Sequence, residues 1–136
     1  RPEVESVIGG VRFVPLLVEH GTRSDSTPYH CLAFLIDSMI LYISDVSRVP
    51  EEVYEYVREY EVELLILDCL FKDKDMQSHV GWPGAQCIIK RVNPKRAYLV
   101  GMDHCIEHDS FNRFLETEDC GGCLVQLAYD GLELCI

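Results

Sequence analysis

Apolar positions fall into short runs of strand period separated by polar turns, and stretches of helical period appear between the later runs. GGVRFVPLLVEHG alternates and then becomes continuously apolar, which predicts a strand from Val11 to Val18 that ends at His20. HCLAFLID and MILYISD are two further β-rich runs, and Asp37-Ser38 between them is a tight-turn signal that predicts a hairpin. In PEEVYEYVREY, Val53, Val57 and Tyr60 make one helical stripe. Pro50 suits the first helical position, and Glu51 and Glu52 suit the positive end of the helix dipole. ELLILDCL predicts a buried strand. Beyond the polar loop FKDKDMQSHVGWPG, Ala85, Ile88, Ile89 and Val92 recur at helical spacing as far as Asn93-Pro94. RAYLVG predicts another buried strand, and Asp109 or Ser110 the cap of a helix carrying Phe111, Phe114 and Leu115. CLVQLAYDGLELCI predicts two short strands around Asp130-Gly131. The order is β-β-β-α-β-α-β-α-β-β, an α/β arrangement with helices flanking a sheet. No repeat or linker divides residues 1–136, so they read as a single unit.

Composition narrows the function classes. The net charge of -11, from 23 acids against 12 bases, opposes phosphate backbones and argues against nucleic acid as a partner. No apolar run approaches the roughly 20 residues that span a bilayer, so a membrane partner is not expected. The seven cysteines are odd in number, and Cys31, Cys69, Cys87 and Cys135 lie in or beside apolar runs. They read as small buried hydrophobes in a reducing, cytoplasmic setting. Cys120-Gly-Gly-Cys123 has knuckle spacing but lacks the second pair a structural zinc wants, so it reads as a loop. The opening RPEVESVIGG has neither a methionine nor a signal pattern, which suggests a fragment that begins in mid-chain.

The polar residues repeat one position. His20 follows the first strand, Asp45 follows the third, Asp68 ends the fourth, and His104 follows the fifth, just beyond Gly101. Open α/β sheets gather functional groups at the strand ends along one edge. Imidazole and carboxylate together suit a hydrolytic zinc, manganese or iron centre, in which a carboxylate can join two ions. Each residue also has a plainer reading: His20 as structural, Asp45 as a cap, His79 as a solvated loop residue and Asp68 as a capping carboxylate. His104 and His108 stand four apart, the spacing of two ligands on one helix face. With Asp109 as a cap, however, that pair would straddle a loop and a helix start. HGTRSDSTPYH offers Arg23, Asp25 and His30 either as a mobile loop or as substrate-facing groups.

PLLVEHG, LYISDVSRVPEE, ELLILDCL, SHVGWPGA, KRAYLVGMDHCIEHD and LAYDGLEL occur in an order that resembles the C-terminal half of a metallo-β-lactamase-fold hydrolase. The branch most resembled contains the PhnP-type cyclic phosphodiesterases of phosphonate breakdown and their eukaryotic relatives. The resemblance implies one half of an αββα fold. It implies that His20 ligates a metal, that Asp45 bridges two metals, and that His79 assists substrate or leaving group. The family's last metal histidine falls at Gly101 in a gapless reading, and the role is carried to His104. Asp68 and His108 are expected behind the ligands. The leading His-x-His-x-Asp-His motif is absent from this sequence and belongs to the N-terminal half of the same domain, which is the implied partner.

The expected function is therefore a metal-dependent hydrolase of a small (cyclic) phosphodiester, acting through a metal-bridging hydroxide. Two divalent ions, zinc or manganese, are expected in the full-length protein; in this chain alone they are expected to be absent or partial, and the chain inactive. A thioester or other ester substrate stays open, as do a degenerate scaffold role and a homodimer. A tRNA 3′-processing nuclease of the same fold is counted against by the acidic charge.

Overall fold

The structure, a computed structural model, describes residues 4–136. Its strands are β1 (Ser6–Ile8), β2 (Val11–Thr22), β3 (Pro28–Ile36), β4 (Ile40–Ile43), β5 (Leu64–Asp68), β6 (Arg96–Val100) and β7 (Leu124–Leu127). Its helices are α1 (Glu51–Val57), α2 (Trp82–Val92) and α3 (His108–Leu115). The strands form one sheet in chain order. The first four are joined antiparallel, whereas β4, β5, β6 and β7 run parallel. Because β2 and β4 both lie antiparallel to β3, β2 ends on the same edge as β4, β5 and β6. That topology alone brings His20, Asp45, Asp68 and Gly101 to one edge of the sheet.

Local chemistry explains the elements. Asp37 and Ser38 both take positive φ, 46° and 62°, the backbone of a type I′ turn, and Met39 N donates to Ile36 O across it. α2 stops at Asn93, which is left-handed at φ 55° and precedes Pro94. α3 is capped two residues before Asp109, the earlier of the predicted caps: the Glu107 carboxylate reaches forward over the first turn and accepts from Asp109 N and Ser110 N.

Two strand predictions change at the chain's ends. β1 was not predicted, because its three residues are all exposed and leave no apolar rhythm; Gly9 and Gly10, both at positive φ, fold it onto β2. No strand forms beyond Asp130-Gly131. Ala128 N still donates to Leu99 O, but Leu132 N then donates to Tyr129 O, and this turn carries the chain away from the sheet. The cysteines also differ from the prediction. All seven are free thiols; Cys69 is buried, Cys31 half-buried, and Cys87 and Cys135 exposed. Cys87 falls off the inward Ala85–Ile88–Ile89 stripe of α2, and Cys135 lies in the departing tail.

Alternation decides which face is covered. Val14, Leu35, Leu41, Leu65, Ala97 and Val125 stand in register on one face and are buried, and Val53, Ala85, Ile89, Phe111 and Leu115 of the helices belong to the same core. The opposite face carries Pro15, Phe34, Tyr42, Ile66 and Tyr98 in register, with Leu17 opposite Leu32. There Leu17, Leu32 and Tyr42 are exposed. A row of large apolar side chains spans this open face. Leu67, by contrast, is fully buried on the covered face. In the full-length protein Leu67→Ala is expected to lower unfolding free energy by about 2–5 kcal/mol in urea titration. Glu55→Ala, on the exposed side of α1, should stay within about 0.5 kcal/mol.

Candidate metal centre

The centre begins with a fault in a strand. Between Glu19 and Thr22 the β2–β3 register slips, so that His20 and Gly21 together oppose Tyr29. An extra residue of this kind kinks a strand and re-aims its side chains. Gly21 takes φ +86° at this bulge, and a Cβ there would press on Gln77 O and Ser78 at 3.3 Å. Gly21 N donates to Ser47 Oγ, which in turn donates to Glu19 O, fixing the end of β2 against the segment that follows β4. The bulge thereby turns His20 toward the Ser78–His79 loop.

That loop, between β5 and α2, is anchored at several points. Leu70 N donates to Val80 O, Val80 N to Val46 O and Met76 N to His79 O, while the Asp75 carboxylate accepts from Gly81 N and Gly84 N. The result places His79 against His20, ring centroids 4.7 Å apart and nearly perpendicular. Asp45 arrives from the end of β4. Its Oδ2 accepts from Ser44 Oγ, and its carbonyl accepts from Cys31 Sγ at 2.8 Å. Burial, then the nearby Asp45 and Asp68 carboxylates, pushes the Cys31 thiol pKa up, which keeps that donor protonated.

One ligand atom from each of His20, Asp45 and His79 lies within 4.8 Å of the others, and among the described residues no second group of three potential ligands gathers this way. The protonation pattern fits a cation. His20 Nδ1 is 2.7 Å from Ser78 O; a carbonyl can only accept, so Nδ1 carries the proton and Nε2 keeps its lone pair. His79 Nδ1 is 2.7 Å from Asp68 Oδ2, so here too Nε2 is the free nitrogen. Each imidazole thus has the oriented outer hydrogen bond that metal-bound histidines use. Two imidazoles and a carboxylate match the protein donor set of open catalytic zinc sites.

Asp68 supports this arrangement from behind. It is 1% exposed, and its Oδ2 also accepts from Val46 N, next to Asp45. Burial raises its carboxyl pKa above the usual range, while the hydrogen bonds from His79 and Val46 pull it back. Its other oxygen, Oδ1, is buried without a hydrogen-bond partner and points at Gly101, where a Cβ would stand 3.0 Å away.

His104 departs from the sequence expectation. Its side chain is 96% exposed, with Nδ1 3.5 Å from Asp103 Oδ1, and it is not part of the cluster. The cause is the backbone turn there: Asp103 N donates to Leu70 O and Ile106 N to Asp103 O, which presents residue 104 to solvent. His108 is also outside the cluster. As the first residue of α3 it sets Nε2 3.3 Å from Ala128 O and Nδ1 3.3 Å from Asn112 Nδ2, tying the helix to the end of β7. Sequence reasoning did not identify Ser78, whose carbonyl sets the tautomer of His20, or Tyr29, whose ring faces His20 at 6.2 Å. The His20-Gly21 pair at the end of a strand was the available signal, since a glycine there marks a bulge.

Residues 3–102 match the family described as the Beta-lactamase superfamily domain. Among solved structures the chain is similar to a diphosphatase from the PhnP family, with 27% identity and a TM-score of 0.76, over 96% of this chain and 45% of that one. It is also similar to the metallo-β-lactamase fold protein YhfI from Bacillus subtilis, with 22% identity and a TM-score of 0.72, over 97% and 52% of the two chains. A third is Igni18, a metallo hydrolase from Ignicoccus hospitalis, with 10% identity and a TM-score of 0.63, over 97% and 57%. The chain thus spans about half the length of the solved relatives it matches. No curated protein matches it. Among the described residues no helix is long and apolar enough to cross a membrane.

Proposed function

The chain belongs to the β-lactamase superfamily, and from that premise we propose that it supplies one half of a divalent-metal site that hydrolyses a small phosphodiester, a cyclic one included. The observation that carries this reading is the meeting of His20 and Asp45, with His20 Nε2 free to hold a metal and His79 Nε2 free beside them to handle a proton. His20 and Asp45 would hold the metal, zinc or manganese, in the full-length protein. The likeness to a PhnP-family diphosphatase favours phosphate esters over other esters. Nothing in the site favours a thioester.

When bound, the metal supplies Lewis acidity, which lowers the pKa of water and offsets charge on the phosphoryl oxygens. The chain's own residues do the rest. His20, its Nδ1 proton held by the Ser78 carbonyl, presents a fixed lone pair. Asp45 supplies the negative charge that holds cations at the edge. His79 passes a proton through Nε2 to the departing oxygen, and Asp68 holds the ring in place by accepting from Nδ1. The N-terminal half of the domain is the partner in this reading. It would cover the open apolar face of the sheet and complete the ligand set.

The test compares the full-length protein with residues 1–136 alone. Elemental analysis is expected to find close to two metal ions per full-length chain and well under two on the shorter one, because binding weakens when ligands are missing. With metal, the full-length protein should hydrolyse bis(p-nitrophenyl) phosphate or a 2′,3′-cyclic nucleotide, and a chelator should stop it. Metal-loaded protein that cleaves thioesters and no phosphodiester would overturn the substrate assignment. Full-length protein that binds no metal would overturn the whole reading.

A further inference from the structure

The peptide that joins Asp45 to Val46 is held from both sides. Its carbonyl accepts from Cys31 Sγ at 2.8 Å, and its N–H donates to Asp68 Oδ2 at 3.2 Å. The bond is trans, so its C=O and N–H point in opposite directions and the plane between them is rigid. Partners on opposite sides fix the rotation of that plane. They thereby fix ψ of Asp45 and the line along which the Asp45 side chain leaves the backbone. The two come from different strands, Cys31 from β3 and Asp68 from the end of β5.

Asp45 needs such support. It lies in a bend past Ile43, the last residue of β4, where the sheet ladder has ended. The Ser44 hydroxyl reaches its Oδ2, but Ser44 is its neighbour in the same bend and moves with it. The Ser47 hydroxyl ties Glu19 and Gly21, which steadies the His20 side of the centre. Among the described residues no other donor meets the Asp45 carbonyl. A carbonyl only accepts, so the proton in this contact is on sulfur. Cys69 and Cys123 also approach carbonyls, those of Phe71 at 3.8 Å and Leu124 at 3.6 Å; both contacts are far longer, and neither carbonyl belongs to a residue of the centre. Cys31 stands opposite Val18, two residues short of His20, and packs against the core.

We infer that Cys31 is a positioning residue for the metal centre: its S–H, holding the Asp45 carbonyl while Asp68 holds the following N–H, aims the Asp45 carboxylate at the cation. The inference deepens the proposed metal-site reading and rests on it. An aspartate free to turn loses that freedom each time a cation binds, so one that is already aimed binds more tightly. A thiol suits the place, because it donates a hydrogen bond yet is apolar enough to pack beside Val18.

The experiment measures the zinc affinity of the full-length protein by competition with a chromophoric chelator, for wild type, Cys31→Ser, Cys31→Ala and Cys31→Val. Cys31→Ser keeps a donor, Cys31→Val keeps the bulk without a donor, and Cys31→Ala keeps neither. Cys31→Ala and Cys31→Val are expected to bind zinc about 10–100-fold more weakly, and Cys31→Ser to stay within about threefold of wild type. The urea midpoint of the metal-free protein should fall for Cys31→Ala and hold for Cys31→Val, so that affinity and stability part in Cys31→Val. If Cys31→Val binds zinc like wild type, the side chain only fills space and the inference is overturned. Equal affinity in all the proteins, or a loss in Cys31→Ser as great as in Cys31→Ala, also overturns it. A thiolate-to-cobalt charge-transfer band in cobalt-loaded wild type would make Cys31 a ligand and overturn it as well. If zinc affinity follows the donor in a protein that cleaves no phosphate ester, Cys31 keeps its role and the phosphodiester reading falls. If an active hydrolase shows no such dependence, the reading stands and the inference falls. A wild type that binds no zinc overturns both.

Discussion

Asp45→Asn is expected to strip the full-length protein of metal and to lower phosphodiester turnover by about 10²–10⁴-fold. The centre loses its one carboxylate in direct reach of a cation, and the electrostatic support a bound metal gives is worth several kcal/mol, at 1.36 kcal/mol per tenfold in rate. Asparagine keeps the shape. Its Oδ1 can still accept from Ser44 Oγ, and the backbone carbonyl remains to accept from Cys31, so the fold around the site should survive. Elemental analysis and far-ultraviolet circular dichroism on the same sample separate the two effects: metal should go and the spectrum should stay. Metal content and turnover equal to wild type would remove Asp45 from the centre.

His79→Ala is expected to cost about 10²–10⁴-fold in turnover through loss of proton transfer. The loss should be steep for a substrate with a poor alkoxide leaving group and shallow for one that releases p-nitrophenolate, which needs little protonation. Metal content should remain. If metal is lost along with activity, His79 is a ligand and not a proton donor, which the 4.8 Å grouping with His20 and Asp45 permits. Asp68→Asn probes the same histidine from behind. An asparagine oxygen in the place of Oδ2 can still accept from Val46 N and His79 Nδ1, but without the carboxylate's charge both hydrogen bonds weaken and the imidazole is held less firmly. A fall of about 10–100-fold in activity is expected, the usual effect of removing a histidine's orienting partner.

Much of this architecture was legible in the residues. The runs that became β2 to β6 bury alternating or continuous apolar side chains, so their rhythm survives in sequence, and Asp37-Ser38 announced its turn by residue type. β1 was illegible because a fully exposed edge strand needs no apolar pattern. Asp130-Gly131 was a true turn signal that misled about its sequel: a turn does not oblige the next segment to pair. Within the centre, His20, Asp45 and Asp68 could be found because each stands at a strand end, and strand ends share an edge. The bond from Asp68 to His79 was not readable. It depends on how a long loop is pinned by Val46, Leu70 and Asp75, contacts that no local pattern encodes. His104 shows the opposite failure. Its spacing from a strand was right for a ligand, but one hydrogen bond from Asp103 to Leu70 was enough to send it outward.

Gly101 limits which side chains the end of β6 can accept. It occupies the place where the resemblance puts a histidine, it lies at φ +76°, and its missing Cβ leaves the gap that Asp68 Oδ1 faces. Any other residue would have to enter a left-handed backbone at a cost of about 1 kcal/mol or more and would crowd a buried oxygen. A Gly101→His substitution is therefore expected to strain the end of β6 instead of setting a ready ligand at the edge, and the β6 end or Asp68 would have to move to admit it.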